Sequence, residues 1–180
     1  GLLTETFLKP MMGEGLNKLK KLTEPMPDPP QIKVVDLAAQ PTLLIPDSAR
    51  LAGIDELLKR NFEKLYGYIN YMKIPITGQH FAIYHNWDPD GIIRVSAGVP
   101  VEKNSKGFKE IKYFEIPATR AVFAKHAGGP SSAATHNAVA AYMKDFNLVA
   151  KDYIWETYLY DAAMQSDTTT WVTWIYYPLK

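Results

Sequence analysis

The sequence repeats itself at a spacing that stays constant across each block, and a chain that repeats in this way folds as copies of one supersecondary unit sharing a core. "VVDLAAQPTLLIP" (34–46) lies against "YFEIPATRAVFAK" (113–125), setting Leu37 on Ile116 and Leu43 on Val122. "FEKLYGYINYMKIPITGQHFAIYHN" (62–86) lies without a gap against the stretch that starts at His136, pairing Tyr68 with Tyr142, Met72 with Phe146, Phe81 with Trp155 and Tyr84 with Tyr158. "IIRVSAGVPV" then matches "WVTWIYYPL", with Pro100 on Pro178.

Each copy reads as strand, helix, strand, strand. In the first, Ile54, Leu57, Leu58, Phe62, Leu65, Ile69 and Met72 recur at intervals of three and four, the stripe of a helix packed on a sheet. In the second, Ser131 or Ser132 after "GGP" can cap a helix carrying Val139, Tyr142, Met143 and Phe146. "HFAIYHN", "DYIWETYLY" and "TTWVTWIYY" are β-branched and aromatic, and "NWDPDG" and "DAAMQSD" read as hairpin loops. The expected class is α+β: a duplicated strand-helix-strand-strand unit making a curved antiparallel sheet with two helices on one side.

Upstream, Leu16, Leu19 and Leu22 with lysines between them predict a short amphipathic helix, and "PMPDPPQ" (25–31) predicts an extended spacer. This divides the chain into residues 1–31, helix and Pro-rich linker, and residues 32–180, one domain. Lys and Arg number 20 against 19 for Asp and Glu, a formal net charge of +1, so no strong field favours nucleic acid as a partner. The chain has no cysteine, which excludes disulfides and thiolate metal sites and is compatible with the cytosol. Nor does it contain a run of eighteen apolar residues or a secretion signal, so we expect a cytoplasmic location without membrane contact, an anchor upstream of Gly1 being left open.

The candidate functional residue is Glu156, set among aromatic residues in "YIWETYLY", with strand alternation placing Ile154, Glu156, Tyr158 and Tyr160 on one face. The self-alignment puts Glu156 opposite Ala82, so the fold itself does not require an acid there. An open sheet face would leave this carboxylate solvated. In a cleft, desolvation would disfavour its charge and a cation would restore it. Tyr84, Tyr158, Trp171, Trp174 and Tyr176 are candidate cleft walls, and strand parity groups Trp174 with Tyr176, which we favour, apart from Trp171. His80, His85, His126 and His136 show no ligand spacing, so neither a metal nor a cofactor is expected. His126 reads as shaping the turn before "AGGPSS", itself a helix cap rather than a phosphate loop.

Taken together, "FAIYHNWDPD", "IPATRAVFAKHAGGP" leading into a helix, "WETY" and the ending "WIYYPL" resemble the GyrI-like (gyrase-inhibitor-like) effector-binding family over about residues 33–180. The resemblance implies a central aromatic cleft between the repeats, with ligand-contacting positions at Glu156, Trp155 and Tyr158 and at Tyr84 of the symmetric strand. Members include drug-sensing modules of bacterial transcription regulators, as well as hydrolases of strained, cyclopropane-bearing compounds. Residues 2–24 resemble the end of a START-like lipid-binding domain through Gly15, Leu16, Leu19, Lys20 and Glu24, which implies such a domain upstream.

Three functions are therefore compatible with the sequence. The first is a binding module for a hydrophobic, optionally cationic aromatic small molecule, with Glu156 as charge partner and Tyr84, Tyr158, Trp155, Trp174 and Tyr176 as walls. The second is a hydrolase in which Glu156 works on a water while the hydroxyl of Tyr84 or Tyr158 polarises the electrophile. The third is a protein-binding inhibitor using an exposed surface. Residue types alone leave open whether the chain is an enzyme.

Overall fold

A computed structural model describes residues 31–128, 131–160, 167 and 170–180. The expected N-terminal helix, nearly all of the Pro-rich linker and most of "DAAMQSD" lie outside the described residues. The elements run β1 (Ile32–Leu37), β2 (Gln40–Ala49), α1 (Ile54–Met72), β3 (Phe81–Tyr84), β4 (Ile93–Pro100), β5 (Lys112–Ile116), β6 (Thr119–Ala127), α2 (Ala133–Asp145), β7 (Ile154–Tyr160) and β8 (Val172–Pro178).

All eight strands form one antiparallel sheet in the order β1-β6-β8-β7-β3-β4-β2-β5. Exchanging β1 with β5, β2 with β6, β3 with β7 and β4 with β8 reproduces that order reversed, so the sequence repeat is a pseudo-twofold of the sheet. Its axis falls between β3 and β7, where Ala82 pairs with Glu156. The two residues that the self-alignment superposes are thus direct neighbours across the symmetry axis.

The leading strand of each unit is in two parts. Its first part is given to the other unit: β1 pairs with β6, and β5 with β2. This exchange interlocks the halves, so neither can shed its edge strand without uncovering the other.

The sheet is covered differently on its two faces. On the outer face, α1 buries Ile54, Leu57, Leu58, Leu65 and Ile69 against Leu43, Ile45, Val95, Ala97 and Val99. There α2 buries only Thr135 and Val139, and Val139 packs against Val122 and Ala124. Met72 and Phe146, symmetry equivalents expected on the packed stripes, are exposed. Ser132 holds the N-cap position of α2 but makes no capping hydrogen bond with its side chain.

On the inner face, Leu37 from edge strand β1 and Ile116 from edge strand β5 pack in one cluster with Phe81 and Trp155 of the central strands. Residues from both edges can meet the centre only if the sheet curls toward that face. Close packing requires a glycine there: a Cβ added to Gly98 of β4 would lie 2.4 Å from the Phe81 ring.

Both helices are tied to the sheet through equivalent polar positions. Asn61 of α1 donates to the Asp47 carboxylate at 3.1 Å, and in the other half His126 meets the Thr135 hydroxyl at 3.0 Å. Burial pulls the Asp47 carboxyl upward, but hydrogen bonds from Asn61, the Ser48 N–H and Arg60 more than offset it, leaving it below the usual carboxylate range.

Gly98→Ala is expected to destabilise the fold by about 1–3 kcal/mol through overpacking against Phe81, read by urea denaturation. A pKa depressed by folding contributes stability above the unfolded value and loses it as pH falls through the folded one. Acidification below about pH 4 should therefore remove more stability from the wild type than from Asp47→Asn.

Candidate functional site

Strands that pair in register present opposed residues to the same face. Ala82 and Tyr84 of β3 thus share the outer, helix-covered face with Glu156 and Tyr158 of β7, and with Ile175 of β8, which pairs with Glu156. Both helices reach this spot. From α1, Phe62 stands edge-on to Tyr158 with ring centroids 6.3 Å apart, and from α2, His136 approaches Glu156.

The side chains form one hydrogen-bonded chain. Tyr84 and Tyr158, related by the pseudo-twofold, meet hydroxyl to hydroxyl at 3.2 Å. The Tyr158 hydroxyl donates to Glu156 Oε2 at 3.2 Å, and His136 Nε2 lies 3.1 Å from Glu156 Oε1. His136 Nδ1 lies 2.7 Å from the Tyr177 hydroxyl.

Electrostatics give this chain a direction. Burial, followed by the Glu156 charge, pushes the Tyr84 hydroxyl well up. Burial, then Tyr84 and Glu156, does the same to Tyr158, and burial followed by Glu156 pushes Tyr177 to about 12. These phenols keep their protons and donate. With Tyr177 donating to Nδ1, a neutral His136 carries its proton on Nε2 and aims it at the carboxylate. The acid at the centre is thus held by a partner side chain and a phenol. The Glu156 side chain is 12% exposed and that of His136 25%, so water reaches the group from the α2 side.

The structure brings together Glu156, Tyr84 and Tyr158 but not the other three candidates. Trp155 pairs with Tyr176 and Thr157 with Trp174, which places Trp155, Trp174 and Tyr176 on the inner face, away from the carboxylate. Alternation and register set these three apart from the expected grouping with Glu156: any neighbour of Glu156 along β7 faces the other way, and on β8 its partner is Ile175. With Phe81 and Phe123 they instead form an inner ladder, Phe81 to Trp155 at 5.1 Å, Trp155 to Tyr176 at 5.7 Å, Tyr176 to Phe123 at 5.3 Å and Phe123 to Trp174 at 6.0 Å. Trp155 Nε1 is buried there without a hydrogen-bond partner. Trp87, in the β3–β4 loop and largely exposed, stands edge-on to Tyr84 at 5.9 Å and extends the aromatic surface on the Glu156 side. Among the described residues no group of His, Asp or Glu is arranged to hold a metal.

His136 and Tyr177 are the residues that reading the sequence missed, although the self-alignment carried the signal. It sets Phe62 opposite His136 and Val99 opposite Tyr177, as it sets Ala82 opposite Glu156. Three apolar residues of the first half become three polar ones in the second, and the polar three are hydrogen-bonded in a row. A double-mutant cycle of Glu156→Ala with His136→Phe, the residues of the other half, should give a coupling energy of about 0.5–3 kcal/mol in chemical denaturation, whereas additive losses would mean the pair does not act as a unit.

Residues 30–180 match the GyrI-like small molecule binding domain. No curated protein matches the chain in sequence. Among solved structures, EcmrR in complex with DNA superposes with a TM-score of 0.73 at 17% identity over 94% of this chain and 65% of that one, so the chain spans just under two thirds of that protein's length. The EcmrR C-terminal domain alone gives 0.66 at 20% identity, covering 84% of this chain and 98% of that one. SAV2435 bound to tetraphenylphosphonium gives 0.58 at 15% identity over 83% and 94% of the two chains, and a hydrolase from Listeria innocua 0.61 at 11% over 91% and 97%. At these identities the likeness is one of fold, and no helix of the described residues is long and apolar enough to cross a membrane. With its duplicated half-barrel and a sequence match over most of its length, the chain belongs to the GyrI-like small-molecule binding domain family.

Proposed function

We propose that the domain binds a hydrophobic cationic aromatic small molecule on the outer face between α1 and α2, with Glu156 as its charge partner and Tyr84, Tyr158, Phe62 and Trp87 as aromatic surface. The observation that carries this reading is a largely buried carboxylate at the symmetry axis, in a position the other half fills with alanine. Even with a phenol and an imidazole on its oxygens, a carboxylate this far buried is costly to desolvate, and a ligand cation offsets that cost when it binds. Aromatic faces around a cation add about 0.5–2 kcal/mol each, depending on desolvation. The tetraphenylphosphonium bound to SAV2435 has this chemistry and supplies the probe.

A second reading, hydrolysis of a strained electrophile, draws on the chain running Tyr84–Tyr158–Glu156–His136. A carboxylate next to an imidazole can take a proton from water, and a phenol can donate one to a leaving oxygen or carbon. Turnover separates the two readings, since a binding module leaves its ligand unchanged.

Wild-type protein should be thermally stabilised by tetraphenylphosphonium, and Glu156→Gln, which keeps the shape and removes the charge, should weaken binding about 10- to 100-fold, the effect of roughly 1.4–2.7 kcal/mol. Equal affinity in the two proteins would contradict Glu156 as charge partner.

A further inference from the structure

The first half of the repeat shows what the site looks like without charge: Phe62, Ala82 and Val99. The second half places His136, Glu156 and Tyr177 at those positions and joins them at 2.7 and 3.1 Å. Tyr177 fixes the imidazole with Nε2 toward the carboxylate, so a single proton decides what Glu156 meets. A neutral ring donates one hydrogen bond and leaves the carboxylate its full negative charge. A protonated ring supplies a whole positive charge at the same oxygen, the charge a cationic ligand would bring. At a carboxylate 12% exposed, one counter-ion is favoured, because a second cation meets the repulsion of the first with less screening than in bulk water.

We propose that His136, positioned by Tyr177, is the site's own competing counter-ion, so that a cationic ligand binds Glu156 when the imidazole is neutral and is excluded when it is protonated. This rests on the reading of Glu156 as the ligand's charge partner and adds its regulation. An imidazole ordinarily changes charge in the physiological range, and His136 is exposed enough to exchange protons with solvent. Other groups facing the pair do not supply this switch. Tyr158 from β7, Tyr177 from β8 and Tyr84 from β3 hold their protons. Asp55 of α1 acts electrostatically on Tyr84. His80 lies behind Tyr158 at a ring distance of 5.9 Å with Tyr66 on its Nδ1. On the β6 side, His126 is bonded to Thr135, the residue before His136 on α2.

Two measurements on the full chain test the proposal. With tetraphenylphosphonium in calorimetry, wild-type affinity should fall as pH is lowered from 8 to 5.5, approaching tenfold per pH unit at the acid end, with proton release on binding, because one proton and one cation compete. His136→Phe, and His136→Gln as a variant that keeps a hydrogen-bond donor should phenylalanine not fold, should bind with affinity nearly independent of pH, while the slope should survive His80→Phe. The same slope in wild type and in both His136 variants, or its loss in His80→Phe, would overturn the proposal. In ligand-free protein, nitrogen NMR of the His136 ring should show the neutral proton on Nε2, and Glu156→Gln making the ring harder to protonate. A ring indifferent to Glu156→Gln would overturn the counter-ion role by itself. Failure of the wild type to bind the probe at pH 8 would instead sink the reading of the site as a cation site, leaving the ring titration to decide whether His136 is the counter-ion of Glu156.

Discussion

A carboxylate stands on the pseudo-twofold axis of a duplicated sheet, and the rest of the site is arranged around that placement. The pairing of Ala82 with Glu156 is where the two halves of the chain meet, so any side chain there is flanked by both units and covered by both helices. Duplication makes such a position special: the residues related by symmetry become direct neighbours, as with the Tyr84 and Tyr158 hydroxyls. A single substitution on one side of the axis then produces an asymmetric site without disturbing the scaffold that the other half still specifies.

The scaffold's stability comes from elsewhere. The exchanged edge strands, the inner cluster of Phe81, Trp155, Leu37 and Ile116, and the deeply packed helix α1 hold the sheet. The second helix buries only two of its residues. The polar chain therefore lies on the less heavily packed half, where a carboxylate and an imidazole can be accommodated with water reaching them, while the first half keeps phenylalanine, alanine and valine in a continuous core. One copy that packs an apolar core and one that carries the polar chain are the two sides of that asymmetry.

Much of this was legible in the sequence because repetition is a one-dimensional signal: the class, the strands, the α1 stripe and the position of Glu156 against Ala82 all follow from self-alignment and periodicity. The membership of the inner and outer faces was not, because alternation orders residues along one strand but says nothing about which face of β8 sits beside a given face of β7. Register is a tertiary quantity, and it moved Trp174 and Tyr176 to the other side of the sheet. Trp155 illustrates a simpler limit, since its neighbour along the strand has to face away from it. His136 was hidden for a different reason. A histidine far from any other histidine looks unremarkable by spacing, and only the residue it replaces in the other half reveals that polarity was introduced there.

The most direct measurement is the crystal structure of the domain with tetraphenylphosphonium bound at pH 8. Charge pairing at Glu156 predicts the cation on the outer face between α1 and α2, in contact with the Glu156 carboxylate and against the ring of Tyr84 or Tyr158. Ligand found on the inner face against Trp155 and Tyr176, with the Glu156 and His136 contact unchanged, would contradict it.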